Sequence, residues 1–381
     1  MKKIFALITI AAATIVGCTN DDRYSWDDDF ADLTATDTVS IAVSWNGNSV
    51  SVSGDTEGAV TANGADVTVR SATNRFLQLT LSGASADGSL TIYSWKKTGV
   101  VLDNLTLTNA DGPAINNQCG KSFIVVTKDG TVNTLTDGAT YSAAPVTAAG
   151  DTIDQKATLF SEGQIYLRGA GTLIVNGYAK NGIASDDYII MEGGTVNVNV
   201  AATGSNGIKV NDGFTMSGGQ LTIDVKADGA RGIRSEARTT ISGGTTTIST
   251  SGDCKIETVD GVRDTTSSAG IKSDSLFAMT AGTLTITSSG DGGKGINCSE
   301  DVRFSGGTLN ITTTGSNEVG KPKGVKSDTA ITVSGGSFNV VVGKSWACDN
   351  GTESDEPDDH LTVEGSPRSK YVGKKQVTIV Y

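Results

Sequence analysis

A parallel β-helix, an all-β solenoid with coils of about 25 residues, is the fold this sequence predicts, and three observations predict it. Of 381 residues 48 are Gly and only 19% are charged, below the ~25% of an ordinary domain, while Thr, Ser, Val, Ile and Asn, which favour strands and turns, are abundant. Six segments, starting at Asn181, Asn206, Arg231, Ala269, Lys294 and Lys323, share one pattern: a Gly before Ile or Val lies 11 residues ahead of a Gly-Gly pair, written Ala281-Gly282 in the fourth copy. Within each copy apolar and polar residues alternate, the period of a strand with one buried face. Such a short repeat cannot enclose a core alone, so copies stack, each covering the next at about 4.8 Å. A leucine-rich solenoid is excluded, because no segment offers a helical return.

The elements follow in chain order. Residues 1–17 combine Lys2 and Lys3, an apolar run and a small residue, the layout of an export signal. Ile-Val-Gly-Cys at 15–18 resembles a bacterial lipobox, in which Cys18 becomes the lipidated first residue. The acidic stretch 18–40 reads as a tether, and Asp21 and Asp22 resemble the surface-export signal of Bacteroidetes lipoproteins. A single β-helix domain is expected over 41–381. It opens on irregular coils such as FLQLTLSG and GVVLDNLTLTNADGPAI, runs through the six regular copies, and closes on QVTIVY. Loop insertions are expected near 139–156, 251–268 and 346–360.

Aligned copies give inward columns: Ile183, Ile208, Ile233, Ile271, Ile296 and Val325 form one, and Val198, Ile223, Ile248, Ile286, Ile311 and Val340 another. The Gly-Gly pairs suit corners that need φ > 0. After Cys18, the cysteines Cys119, Cys254, Cys298 and Cys348 are too sparse for a disulfide scaffold, and their pairing is open.

A net charge of −12 excludes a nucleic-acid binder that tracks phosphates. The single histidine, His360 in ESDEPDDH, leaves Ser-His, Cys-His and multi-His metal chemistry without parts and reads as a solvated loop residue.

Two polar columns face outward beside the inward ones, and three copies carry a base and an acid on one strand face: Arg234 with Glu236, Lys272 with Asp274, and Lys326 with Asp328; Lys209 continues the basic column. One reading is a mutually neutralising ion-pair network. The other is a ribbon that hydrogen-bonds an extended sugar chain, with Arg and Lys suited to uronate carboxylates. Asp228 in KADGARG and Asp291 in SGDGGKG sit at turn glycines, where a carboxylate either serves the turn or helps to hold calcium. No aromatic platform for sugars is legible, since Trp26, Trp45, Trp95 and Trp346 are scattered.

Several stretches carry a resemblance: LSGASADGSL at 81–90, GVVLDNLTLTNADGPAI at 99–115, GTVNTLTDG at 130–138, ATLFSEGQIYLRGAGTLIVNGYAKNGIASDD at 157–187, and the repeated Gly-Ile followed by Gly-Gly-Thr. Together they resemble the bacterial carbohydrate-binding right-handed parallel β-helices, which are akin to pectate lyases in fold. The resemblance implies binding of a plant cell-wall polysaccharide, cellulose or polygalacturonate, with calcium on turn and strand aspartates. Where that family often has Asp before the Gly-Ile pair, this chain has Asn181, Asn206, Arg231, Ala269, Lys294 and Lys323.

The expectation is therefore a lipid-anchored exported protein, at the outer membrane or cell surface, that binds polysaccharide without catalysis. The alternatives are a calcium-dependent polysaccharide lyase, with Arg234 or Lys272 as base, and a structural or adhesive surface rod.

Overall fold

The computed structural model describes residues 38–147, 150–259 and 261–381. The export signal, Cys18 and the tether as far as residue 37 lie outside the described residues. The first strand, Thr38–Asn46, begins inside the stretch assigned to the tether. Its alternation starts early: Val39, Ile41, Val43 and Trp45 are buried, and the strand pairs in parallel with Phe76–Ser85.

The described residues form a β-solenoid of about 11 turns. One sheet of 23 strands and one of 12 run along it. In the coil that begins at Asn206, Ile208–Val210 lies in the smaller sheet, while Gly213–Met216 and Gln220–Val225 lie in the larger. The next coil repeats this in register, Ile208 beside Ile233, Met216 beside Ile241 and Ile223 beside Ile248. Period-2 alternation turns one set of side chains inward, and parallel register then ladders like on like. Both expected inward columns are buried along their whole length. Each such Ile or Val contributes about 1.5–3 kcal/mol by burial.

Two glycine positions make the coil possible. The second Gly of each pair turns a corner at positive φ, from 73° at Gly244 to 84° at Gly307. The Gly before Ile packs directly against a core side chain of the larger sheet: a Cβ on Gly207 would lie 2.5 Å from Ile223 Cγ2.

Insertions leave this regular path. Residues 139–147 and 150–156 lie in the connection between strands Val132–Thr136 and Ala157–Ser161, outside both long sheets. In the second insertion, Lys255–Val259 and Val262–Thr266 pair as an antiparallel hairpin. The third begins later than expected. Trp346–Asp349 is a strand paired with Lys323–Lys326, because Ala347 and Cys348 continue the buried pattern of the smaller sheet. His360 is likewise not a solvated loop residue: it is 2% exposed. The short 3₁₀ turn Pro357–His360 folds its ring over Trp346, centroids 4.1 Å apart, and Nε2 lies 2.9 Å from the Ser354 carbonyl. Strand Gln376–Val380 runs antiparallel to Ser337–Val342 and covers the last coil. Among the described residues no disulfide forms, and Cys119, Cys254, Cys298 and Cys348 are all buried. Among the described residues no helix is long and apolar enough to cross a membrane.

Candidate functional site

The outer face of the smaller sheet brings together all seven residues of the expected ribbon. Lys209, Arg234 and Lys272 stand on successive coils in register, and Lys326 follows one coil beyond Asn297. They are already paired. Arg234 Nη2 lies 2.5 Å from Asp274, which also receives Lys272 at 3.0 Å. Lys209 reaches Glu236 of the next coil at 3.2 Å, and Lys326 pairs with Asp328. Burial opposes ionisation of Asp274, but hydrogen bonds from Arg234 and Lys272 prevail and hold its carboxyl below the usual range. Half-exposed pairs of this kind contribute about 0.2–1 kcal/mol each. The geometry is that of a neutralised network in which Arg234–Asp274 and Lys209–Glu236 bridge coils, while Lys272–Asp274 and Lys326–Asp328 close within one.

Asp228 and Asp291 occupy one corner column but do not converge. Asp253 stands between them: Asp228 Oδ1 accepts the Asp253 N–H at 2.9 Å, Asp253 Oδ1 the Asp291 N–H at 2.7 Å, and Asp291 Oδ1 the Ser316 N–H at 2.9 Å. Each carboxylate thus ties its turn to the next coil. Two carboxylates separated by a whole coil do not suit a single calcium ion, which gathers its oxygens at 2.3–2.6 Å.

A second assembly forms where the 139–156 insertion meets the coils. A cavity of 520 Å³ opens between the insertion and residues 179–180, lined by Tyr141, Ser142, Thr152, Asp154, Gln155 and Lys180 among others. Tyr141 is held in place. Its hydroxyl donates to Asp137 Oδ2 at 2.7 Å, and Asp137 Oδ1 accepts the Tyr178 N–H at 2.6 Å. Burial pushes both the Asp137 carboxyl and the Tyr141 phenol upward in pKa, so the phenol remains a donor. Lys180 Nζ stands 5.3 Å from the Tyr141 ring centroid, a cation–π geometry. Tyr178, adjoining the lining residue Ala179 in the chain, is 43% exposed.

Asp154 belongs both to this cavity and to a carboxylate cluster. One oxygen each from Asp154, Glu162 and Asp186 lie within 4.8 Å of one another. Lys156 Nζ sits 2.6 Å from Asp154 and 2.5 Å from Asp186, leaving Glu162 less compensated. Burial, then the charges of Asp186 and Asp154, push Glu162 up to about 7 against the pull of Lys156. Three hard oxygen donors with surplus negative charge fit a divalent cation such as calcium, which would compete with the lysine. The cluster escaped sequence reasoning, although a signal existed. Ser161 pairs with Ser185, so Glu162 and Asp186 are neighbours one coil apart. Nothing in the sequence shows that the insertion returns Asp154 to the same spot.

The arrangement can hold a sugar against an aromatic face, with cationic and anionic groups at the rim. Comparison with known proteins bears on what that sugar is part of. A family model described as "carbohydrate-binding domain-containing protein" matches residues 63–254, 229–319 and 277–366. Among solved structures, a polysaccharide lyase-like protein from C. thermocellum, as a gadolinium derivative, is similar in fold, with a TM-score of 0.56 and 24% identity over 70% of this chain and 97% of that one. No curated protein matches.

Proposed function

The chain belongs to the family of carbohydrate-binding domain-containing proteins, and from this premise we propose that it binds polysaccharide without transforming it, through the cavity beside the 139–156 insertion. The observation that carries the proposal is Tyr141, fixed by Asp137 and faced by Lys180 at a cavity large enough for a sugar residue. The glycan would be of the plant cell-wall class, cellulose or polygalacturonate. Calcium enters this reading at Asp154, Glu162 and Asp186 rather than at Asp228 and Asp291. When bound it would supply a positive centre for a glycan carboxylate at the cavity rim. Export and anchoring through a lipid on Cys18 complete the reading, and loss of lipid labelling in Cys18→Ala would support them.

Depletion on insoluble cellulose and on polygalacturonate, with calcium and with chelator, tests the proposal. Wild type is expected to be retained without releasing product, and Tyr141→Ala to weaken retention at least tenfold, which is about 1.4 kcal/mol. Equal retention of both proteins would remove the cavity from the interface. Chelation should weaken retention of wild type but not of Asp186→Asn if calcium joins the two. One observation favours a second reading, a calcium-dependent lyase: a carboxyl with a pKa of about 7 next to Lys156 is suited to moving protons at neutral pH. Release of unsaturated uronate products, lost in Glu162→Gln, would select it.

A further inference from the structure

The residue before each Gly-Ile pair lies on the edge of the smaller sheet, and the column reads Asn181, Asn206, Arg231, Ala269, Lys294, Lys323 in register. Its ends are satisfied. Asn206 Nδ2 donates to Asn181 Oδ1 at 3.0 Å, and Asn206 Oδ1 accepts the Arg231 N–H at 3.0 Å. Lys323 at the other end pairs with Asp349.

Between them stand two cations without a carboxylate partner among the described residues. Arg231 Nε is buried and makes no hydrogen bond. Lys294, 8% exposed, donates to a neutral acceptor, Ser267 Oγ in the 251–268 insertion. Ala269 separates the two. With parallel strands about 4.8 Å apart, the flanking backbones lie roughly 10 Å apart, one on either side of Ala269. Neighbouring acids are engaged elsewhere, Asp274 by Arg234 and Lys272 and Asp349 by Lys323. Burying a charge without a counter-charge is costly, and an orphaned buried donor asks for an acceptor. Burial pushes the Lys294 amine down to about 8, helped by Lys326, Lys323 and Arg231 and opposed by Cys254, as expected where positive charge is in excess.

We propose that Arg231 and Lys294 form a notch, beside the hairpin of Lys255–Val259 and Val262–Thr266, that binds an oxyanion carried by the glycan, either a uronate carboxylate or a sulfate half-ester. The Arg231 guanidinium offers a planar fork and Lys294 a point charge, the pair of donors that an oxyanion accepts from two sides. The notch lies apart from the Tyr141 cavity. It rests on the sugar-binding reading above and deepens it, because it selects anionic over neutral glycans.

The test uses the full chain, Arg231→Gln and Lys294→Met. Sulfate, galacturonate and neutral galactose are compared at constant ionic strength by thermal shift, and polygalacturonate, a sulfated glycan and cellulose by retention. Lys294→Met is expected to raise the melting temperature of the free protein, since it removes an unpaired buried charge; a fall would make Lys294 a structural residue and overturn the proposal. One small anion should stabilise wild type and neither variant, and galactose should stabilise none. Whether carboxylate or sulfate does so identifies the group. Retention of the matching polyanion should drop at least tenfold in both variants while retention on cellulose is unchanged. Variants that keep wild-type retention, or a wild type unmoved by either anion, would overturn this site and leave the cavity reading intact. A wild type that retains no glycan would overturn the cavity reading, and the small-anion shifts would still decide the notch.

Discussion

Gly207 and Gly244 show how a single hydrogen in place of a side chain sets the cross-section of the coil. A methyl on Gly207 would press into Ile223, and one on Gly244, at φ 73°, would meet Met216 Cε at 2.6 Å and the Gly219 carbonyl at 2.7 Å. Either substitution to Ala is expected to cost about 1–3 kcal/mol, through overpacking at Gly207 and through backbone strain at Gly244, measurable as a lower urea midpoint. The carboxylates make a second prediction at this scale. Glu162 has a folded pKa of about 7 against 4.5 for the free residue, because of burial and then of Asp186 and Asp154. The folded chain therefore holds this proton more tightly than the unfolded chain. Its contribution is complete below pH 4.5 and is lost as pH rises through about 7. Asp187, at about 6 through burial and the nearby Asp212, acts in the same direction. Melting temperature should fall between pH 4.5 and 7, and Glu162→Gln should flatten that slope; an unchanged slope would remove Glu162 as its source.

Among the elements, the outer ribbon of the smaller sheet and the insertions divide the work. The ribbon is electrically closed, with Arg234 reaching Asp274 and Lys209 reaching Glu236 across a coil boundary. Lys272→Ala should then cost no more than about 1 kcal/mol and should leave glycan retention unchanged, because Asp274 keeps Arg234. A large loss of retention would return the ribbon to the binding surface. The 139–156 insertion carries the opposite expectation. It leaves the coil after Val132–Thr136 and rejoins it at Ala157–Ser161, so the core columns do not depend on it. Replacing 140–153 by a short Gly-Ser turn should preserve the circular-dichroism spectrum of the coils while abolishing retention.

Across the whole molecule, each coil is covered by the next, and the last coil is covered by the chain end. Val377 and Ile379 of the antiparallel strand Gln376–Val380 are buried against the final coil, while Lys370, Lys374 and Gln376 turn outward. Ending the chain after residue 343 would expose a parallel edge and an apolar column, which pair readily with a second copy. Light scattering of this truncation should report larger assemblies than the full chain forms; an unchanged size and melting temperature would show that the cap is dispensable.

The sequence by itself determined the solenoid, its register and its core, because one period governs all three. Once Gly-Ile and Gly-Gly recur at a fixed spacing, every inward side chain has its neighbour assigned one coil away, as Ile208 and Ile233 illustrate. It also placed Arg234, Glu236, Lys272 and Asp274 on one face, since that face follows from the same period. Tertiary structure alone decided where the irregular pieces lie. The 139–156 insertion obeys no period, so the meeting of Tyr141 with Lys180, and of Asp154 with Glu162 and Asp186, depends on how a loop folds back over coils distant in sequence. His360 turned from an expected surface residue into a buried one for the same reason, because its contacts with Trp346 and Ser354 come from a local return of the chain. Repetition makes neighbours predictable from spacing, whereas a loop's neighbours are set by packing and hydrogen bonding that only the folded coordinates contain.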